Sequence, residues 1–134
     1  MEQVLVFRLG EELYGLEISH IQEVVETPAF HYIPRAPAFW TGAINFHGSI
    51  LPVLDLPDYL GFTGQERDHR VIALVNCPLA LAVSAIHRIM PLDPELLLPF
   101  RQESEEKRYI RAVFNREVEM INLLDVVQLL ASFE

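Results

Sequence analysis

His47, Asp55 and Cys77 have the chemistry of a hydrolytic site: a base, a carboxylate and a thiol. A thiol nucleophile works only with a base and an oxyanion-stabilising group beside it. Cys77 stands before Pro78 in a turn-like segment that offers neither, so a fold would have to gather the three into a concave pocket. Asp55 and Asp125 invite a second reading, as a general acid and base. Each, however, opens a short helical run, 55–60 and 125–130, where a carboxylate satisfies the free amides of the first turn. His20, His31, His69 and His87 are scattered without the spacing of metal ligands. These residues point away from catalysis, and no metal or cofactor is expected.

The elements that must carry them are short and β-rich. Strands are expected at 4–9, 13–18 and 22–26, with one helical turn at 19–21. The stretch 27–38 holds Pro28, Pro34 and Pro37 and reads as a kinked loop. Residues 40–46 and 49–54 form a hairpin about His47-Gly48. Pro52 cannot donate to a ladder, so it marks an edge or a bulge. Strands at 70–75 and 79–83 follow, joined by Asn76-Cys77-Pro78, and then one at 86–90. A loop is expected over 91–108, and a last hairpin joins 109–114 to 118–123 around Asn115-Arg116-Glu117.

The chain also repeats itself. Ile18, Ile21 and Val24 recur as Val83, Ile86 and Ile89 at a shift of 65, which also carries Gly15 onto Ala80. Leu51, Val53 and Asp55 recur as Ile121, Leu123 and Asp125 at a shift of 70, with Gly42, Ala43 and Asn45 matching Ala112, Val113 and Asn115. The change of shift falls in a loop, where insertions are tolerated. Two copies of one five-stranded unit are therefore expected, each able to curl into a small barrel. The expected lobes span about 10–66 and about 67–134, with the first strand, 3–9, free to join either. Each is small enough to need the other's apolar surface.

Composition narrows the partners. The net charge is −9, with nineteen acidic and ten basic residues, and Lys107 is the one lysine. Phosphate backbones and anionic membranes demand clustered Lys and Arg, so neither is an expected partner. A single cysteine allows no intrachain disulfide, in keeping with a reducing cytoplasm. The first residues lack the pattern of a signal peptide, and the apolar stretch 71–86 is broken by Asn76, Pro78 and Ser84. It reads as core strands around a turn, with an exposed interface strand as the other reading.

With these segments in order, the chain resembles the CheW-like domain family of bacterial chemotaxis. One signature is Phe7-Arg-Leu-Gly10-Glu-Glu-Leu-Tyr14-Gly15-Leu-Glu-Ile18, continuing through Ile21-Gln-Glu23-Val24. A second joins Ile33-Pro34-Arg-Ala-Pro37 to Trp40-Thr-Gly42-Ala-Ile44-Asn45-Phe-His47-Gly48-Ser-Ile50-Leu-Pro52-Val53-Leu-Asp55-Leu56. A weaker third comprises Leu81-Ala-Val83, Ile86 and Ile121-Asn-Leu123-Leu-Asp125-Val126. The resemblance implies a mainly β fold of two five-stranded SH3-like barrel lobes packed around a shared hydrophobic core, with short helices. It implies an adaptor without catalysis, joining the cytoplasmic tip of a chemoreceptor to the regulatory domain of a CheA-type histidine kinase. Contacts are then expected at Ile21, Glu23, Val24, Gly42, His47 and Gly48 on the first lobe. Ile86 and Ile89 follow on the second by repeat alone.

Alternatives are a scaffold in another chemosensory pathway such as surface motility, a freestanding relative of the kinase's regulatory domain, and a small-ligand barrel. One departure stands out. The family places Arg before the hairpin glycine, and here that residue is His47. Histidine lacks the planar five-donor fork of arginine and changes charge near neutral pH.

Overall fold

The computed structural model describes residues 2–26, 30, 31, 34, 37, 39–99, 109–116 and 119–131. Strands β1 (Gln3–Leu9) and β2 (Glu12–Glu17) form a hairpin, and a 3-10 turn at Ile18–His20 leads into β3 (Ile21–Glu26). A second hairpin, β4 (Trp40–Phe46) and β5 (Ser49–Asp55), runs into helix α1 (Leu56–Tyr59). The second half supplies β6 (Arg70–Leu74), β7 (Ala80–Ala82), β8 (Ala85–Pro91), β9 (Leu97–Pro99), β10 (Ile110–Arg116), β11 (Glu119–Leu124) and helix α2 (Val126–Ala131). The fold is mainly β, in two sheets ordered β8-β1-β2-β11-β10-β9 and β3-β6-β7-β5-β4. These correspond to two SH3-like lobes, I and II.

The repeat holds to the register of single residue pairs. Strand β2 runs parallel to β11 with Gly15 opposite Leu123, and β7 runs parallel to β5 with Ala80 opposite Val53. Ala80 is the repeat counterpart of Gly15, and Leu123 that of Val53. The sheets nevertheless do not follow a cut at 66/67. Lobe I takes β1 and β2 from the first half and β8 to β11 from the second, while lobe II takes β3, β4 and β5 from the first and β6 and β7 from the second. Each unit's first hairpin is lent to the other lobe. The 3-10 turn after β2, and Val83-Ser84 after β7, carry the chain across.

Three apolar cores result. Val4, Val6, Met90, Ala112, Phe114, Ile121 and Leu123 fill lobe I, and Ile44, Leu51, Val53, Val71, Ala73, Ala80 and Ala82 fill lobe II. Between the lobes lie Leu5, Phe7, Leu9, Tyr14, Leu16, Leu54, Ile72, Leu74, Leu81 and Leu124, among others. Alternation explains the division. On β6, Val71 and Ala73 face into lobe II while Ile72 and Leu74 face the shared core. The stretch 71–83 is thus mostly buried on both faces, the core reading of that run.

Polar groups lock the joins. Asp55 accepts from the Asp58 amide at 3.3 Å and Asp125 from the Gln128 amide at 3.0 Å, so both aspartates are helix caps. Arg67 also donates from Nε to both Asp55 oxygens, at 2.9 and 3.1 Å, and Arg8 meets Glu66 at 2.8 Å. These pairs strap the connection between α1 and β6. Asp68, buried, accepts from the Ile86 amide at 2.7 Å, the Arg70 amide at 3.0 Å and the Arg70 guanidinium at 2.9 Å. Burial alone would raise the Asp68 carboxyl, but these donors outweigh it and bring it down to about 2.

Three local expectations change. The 91–108 loop contains a 3-10 turn at Pro94–Leu96 and then β9, which pairs with β10; residues 100–108 lie outside the described residues. Asn115 and Arg116 continue β10, since Arg116 pairs with Glu119; residues 117 and 118 lie outside the described residues. Pro52 sits on an interior strand. It is tolerated because three-residue β7 reaches only Val53, Leu54 and Asp55, leaving no β7 neighbour at Pro52. Most of the 27–38 stretch, Pro28 included, also lies outside the described residues.

Candidate interaction surface

Strand β3 is one edge of lobe II, and the β4–β5 hairpin forms the opposite edge. The hairpin turn is two residues long, with His47 at φ 50° and Gly48 at φ 84° between the paired Phe46 and Ser49. Positive φ at both central positions is the turn whose twist matches the strands it joins. This geometry projects His47 from the tip, and its Nε2 lies 2.9 Å from Glu23 Oε1 on β3. The pair spans the gap between the two edges of the lobe and closes it. Both side chains are exposed, and the His47 ring packs on Phe46 with centroids 4.4 Å apart.

Lobe I closes in the same place. Arg88 on β8 is the repeat counterpart of Glu23, and it pairs with Glu119 at the start of β11. Glu119 is the counterpart of Ser49, two residues from His47. One ion pair therefore joins the edge strand to the hairpin in each lobe, with the charges reversed.

Four of the exposed apolar residues follow the same symmetry; Phe30, Val75, Leu96, Leu98 and Val127 are exposed without an exposed apolar counterpart among the described residues. Val24 and Ile50 are 36% and 72% exposed on lobe II; their counterparts Ile89 and Met120 are 56% and 57% exposed on lobe I. Each lobe thus offers an apolar residue on its edge strand and another beside its hairpin. Sequence reasoning missed Ile50 and Met120. Ile50 begins a continuous apolar run in which Leu51 and Val53 point inward, so no alternation marked its outward face.

The other expected contact residues divide. Glu23, Val24, His47, Gly48 and Ile89 are exposed. Ile21 and Ile86 are half-buried against the shared core and present only their outer edges. Gly42 is buried at φ 152°, and a Cβ there would stand 2.6 Å from the His31 carbonyl oxygen. Its service is to let the His31 backbone bridge to Ala43 beside a β-bulge.

The three residues with hydrolytic chemistry are each engaged elsewhere: His47 with Glu23, Asp55 with Arg67 and the α1 cap, and Cys77 against the shared core. No hydrogen bond among the described residues joins any two of them. Burial pushes the Cys77 thiol up, the wrong direction for a nucleophile. Among the described residues no cluster of three His, Cys, Asp or Glu side chains could hold a metal, and no helix is long and apolar enough to cross a membrane. A shallow groove of about 460 Å³ is lined by Glu2, Gln3, Ile18, Ser19 and Pro91.

Comparison with known proteins agrees along the whole chain. The sequence profile of the CheW-like domain matches residues 3–134. The "Probable chemotaxis protein CheW" of Rhizobium etli is 25% identical over 138 residues, covering 98% of this chain and 89% of that protein. The "Chemotaxis protein CheW" of Treponema pallidum is 25% identical over 147 residues, covering 98% of this chain and 84% of that protein. Among solved structures, the scaffolding protein TtCheW from Thermoanaerobacter tengcongensis superposes with a TM-score of 0.83 at 30% identity. The superposition covers 92% of this chain and 88% of that one.

Proposed function

Because the chain belongs to the CheW-like domain family, we propose that its role as a chemotaxis adaptor and scaffold rests on two docking surfaces, one on each lobe. Lobe II offers Val24 and Ile50 around the Glu23–His47 pair; lobe I offers Ile89 and Met120 around Arg88–Glu119. The observation that carries this reading is the recurrence of exposed apolar residues at repeat-equivalent positions. Interfaces draw affinity from a few buried apolar anchors within a polar rim, and each lobe has both ingredients.

The proposed partners are the regulatory domain of a CheA-type histidine kinase and the cytoplasmic tip of a chemoreceptor, met in the cytoplasm. Adaptor action needs no chemistry on this chain, only simultaneous engagement of two partners. Ile21, Ile86, Gly42 and Gly48 shape the two surfaces, Gly42 from beneath. The small-ligand barrel is not favoured, because side chains fill the interiors of both lobes.

Co-sedimentation tests the reading directly. Purified protein is mixed with the receptor signalling domain and the kinase regulatory domain from its own genome. Binding to each, and a ternary complex with both, is the expected result. Binding to neither would overturn the adaptor role while leaving the fold untouched.

A further inference from the structure

The two lobes close with pairs of different chemistry. Arg88–Glu119 joins a guanidinium to a carboxylate, and no histidine takes part in it. Glu23–His47 is an ion pair only while the imidazole carries a proton, and histidine exchanges that proton between about pH 5 and 8. The surroundings leave His47 dependent on Glu23. Its own hairpin offers the Phe46 ring, and among the described residues Glu23 is its ion-pair partner. Across from Glu23 at this end of β3, strand β6 presents apolar Ala73 and Leu74. Among the described residues, the other charged groups along this edge have partners of their own. Glu26 meets His69 at 3.4 Å, Asp68 holds Arg70, and Glu17 holds His20 and Arg111.

We propose that Glu23–His47 is a proton-dependent latch on lobe II that tunes partner binding there, while the Arg88–Glu119 closure of lobe I, which contains no histidine, has no such dependence. The docking half of this proposal rests on the adaptor reading above; the latch itself does not. Protonation adds a charge-assisted bond across the open edge of lobe II and holds the hairpin tip against β3. Above neutral pH the bond is weaker and the tip is freer to leave. The surface beside Val24 and Ile50 is thus better ordered in mildly acidic conditions, and a partner docking there meets less ordering cost. Exposed ion pairs are modest contributors, so a change of about two- to fivefold in affinity is expected.

NMR on the full chain tests the latch. Over a titration from about pH 8 to 5.5, the backbone amides of Glu23 and Val24 should move with the same midpoint as the His47 ring. In Glu23→Gln the ring still titrates, but the β3 shifts fall to less than about half. In His69→Asn, which removes the histidine that meets Glu26 on this strand, the wild-type behaviour of Glu23 and Val24 persists. Amides of Glu119 and Met120 do not follow the His47 midpoint in any of the three proteins. Amides of β3 that ignore His47, or that move as far in Glu23→Gln, would overturn the latch.

The docking half is read from affinity for the kinase regulatory domain and, separately, for the receptor signalling domain at about pH 8 and pH 6. Wild type should bind the partner of lobe II more tightly at the lower pH and His47→Arg equally at both. Equal wild-type affinity at both values for both partners overturns the tuning. No binding of either partner by either protein at either pH overturns the adaptor reading and the tuning with it, while the NMR result still decides the latch.

Discussion

Glu23 and Arg88 stand at the same position of two copies of one unit, carry opposite charges, and each reaches across its lobe to the hairpin opposite. The correspondence ties a repeat read from hydrophobic spacing to a pair of closures that hydrophobic spacing could not reveal. It also makes the two lobes alike in shape and unlike in charge, which is what an adaptor needs to present two different surfaces from one architecture.

Ile50→Asp should weaken binding of the partner that docks on lobe II by about tenfold or more. Burying an unpaired carboxylate in an apolar contact costs far more than the apolar anchor contributes. Met120→Asp should do the same on lobe I. Both positions are exposed, so the thermal midpoint should stay within about 2 °C of wild type. Calorimetric titration against each partner separately assigns the surfaces. A pair of variants that bind both partners like wild type would remove Ile50 and Met120 from either interface.

His47→Arg puts at the hairpin tip the arginine that the family resemblance leads one to expect there. Arginine supplies a permanent charge and a planar fork toward Glu23. The expected result is tighter binding at lobe II near pH 8 and little change near pH 6, measured by the same titration. The fold should tolerate it, since residue 47 already adopts positive φ without being glycine.

Asp68→Asn should destabilise the chain by an amount on the order of 2 kcal/mol at pH 7, because the Arg70 guanidinium loses its carboxylate partner. The pH dependence has a definite sign. The folded carboxyl lies at about 2, below its ordinary value. Its stabilisation is therefore complete above about pH 4 and is lost as pH falls toward about 2. Urea unfolding of wild type and variant at several pH values should show the gap narrowing in that window. A constant gap would mean that Asp68 acts through shape rather than charge.

Gly42→Ala should cost about 2–3 kcal/mol, since the new methyl meets a backbone oxygen 2.6 Å away and the residue needs φ near 152°. Gly48→Ala has open space around its Cβ and only the backbone conformation against it, so its cost should be smaller. Thermal unfolding of the two variants side by side checks the order.

Much of this was readable from residue types. The strands, the His47-Gly48 turn, the caps at Asp55 and Asp125 and the two-unit repeat all follow from local rules, because turns, caps and alternation act over a few residues. What escaped was set by distant pairing. Nothing near Glu12–Glu17 announces that its partner is Glu119–Leu124, so the cut at 66/67 ran between halves that in fact each give strands to both lobes. Ile50 escaped for the converse reason: a run apolar at every position hides which members face outward. Gly42 had the right residue type for a surface hairpin contact, and only the approach of His31 shows it to be buried.

The exchanged hairpins also fix when this protein can first become itself. As the chain leaves the ribosome, β1 and β2 emerge early, yet β2 waits for β11, which lies more than a hundred residues further on. Lobe I is incomplete until β11 is made, whereas lobe II has all five of its strands by Ala82. Lobe II must nevertheless wait for Leu124 and Leu129 to close the core it shares with lobe I, so the two lobes settle, and melt, as one unit.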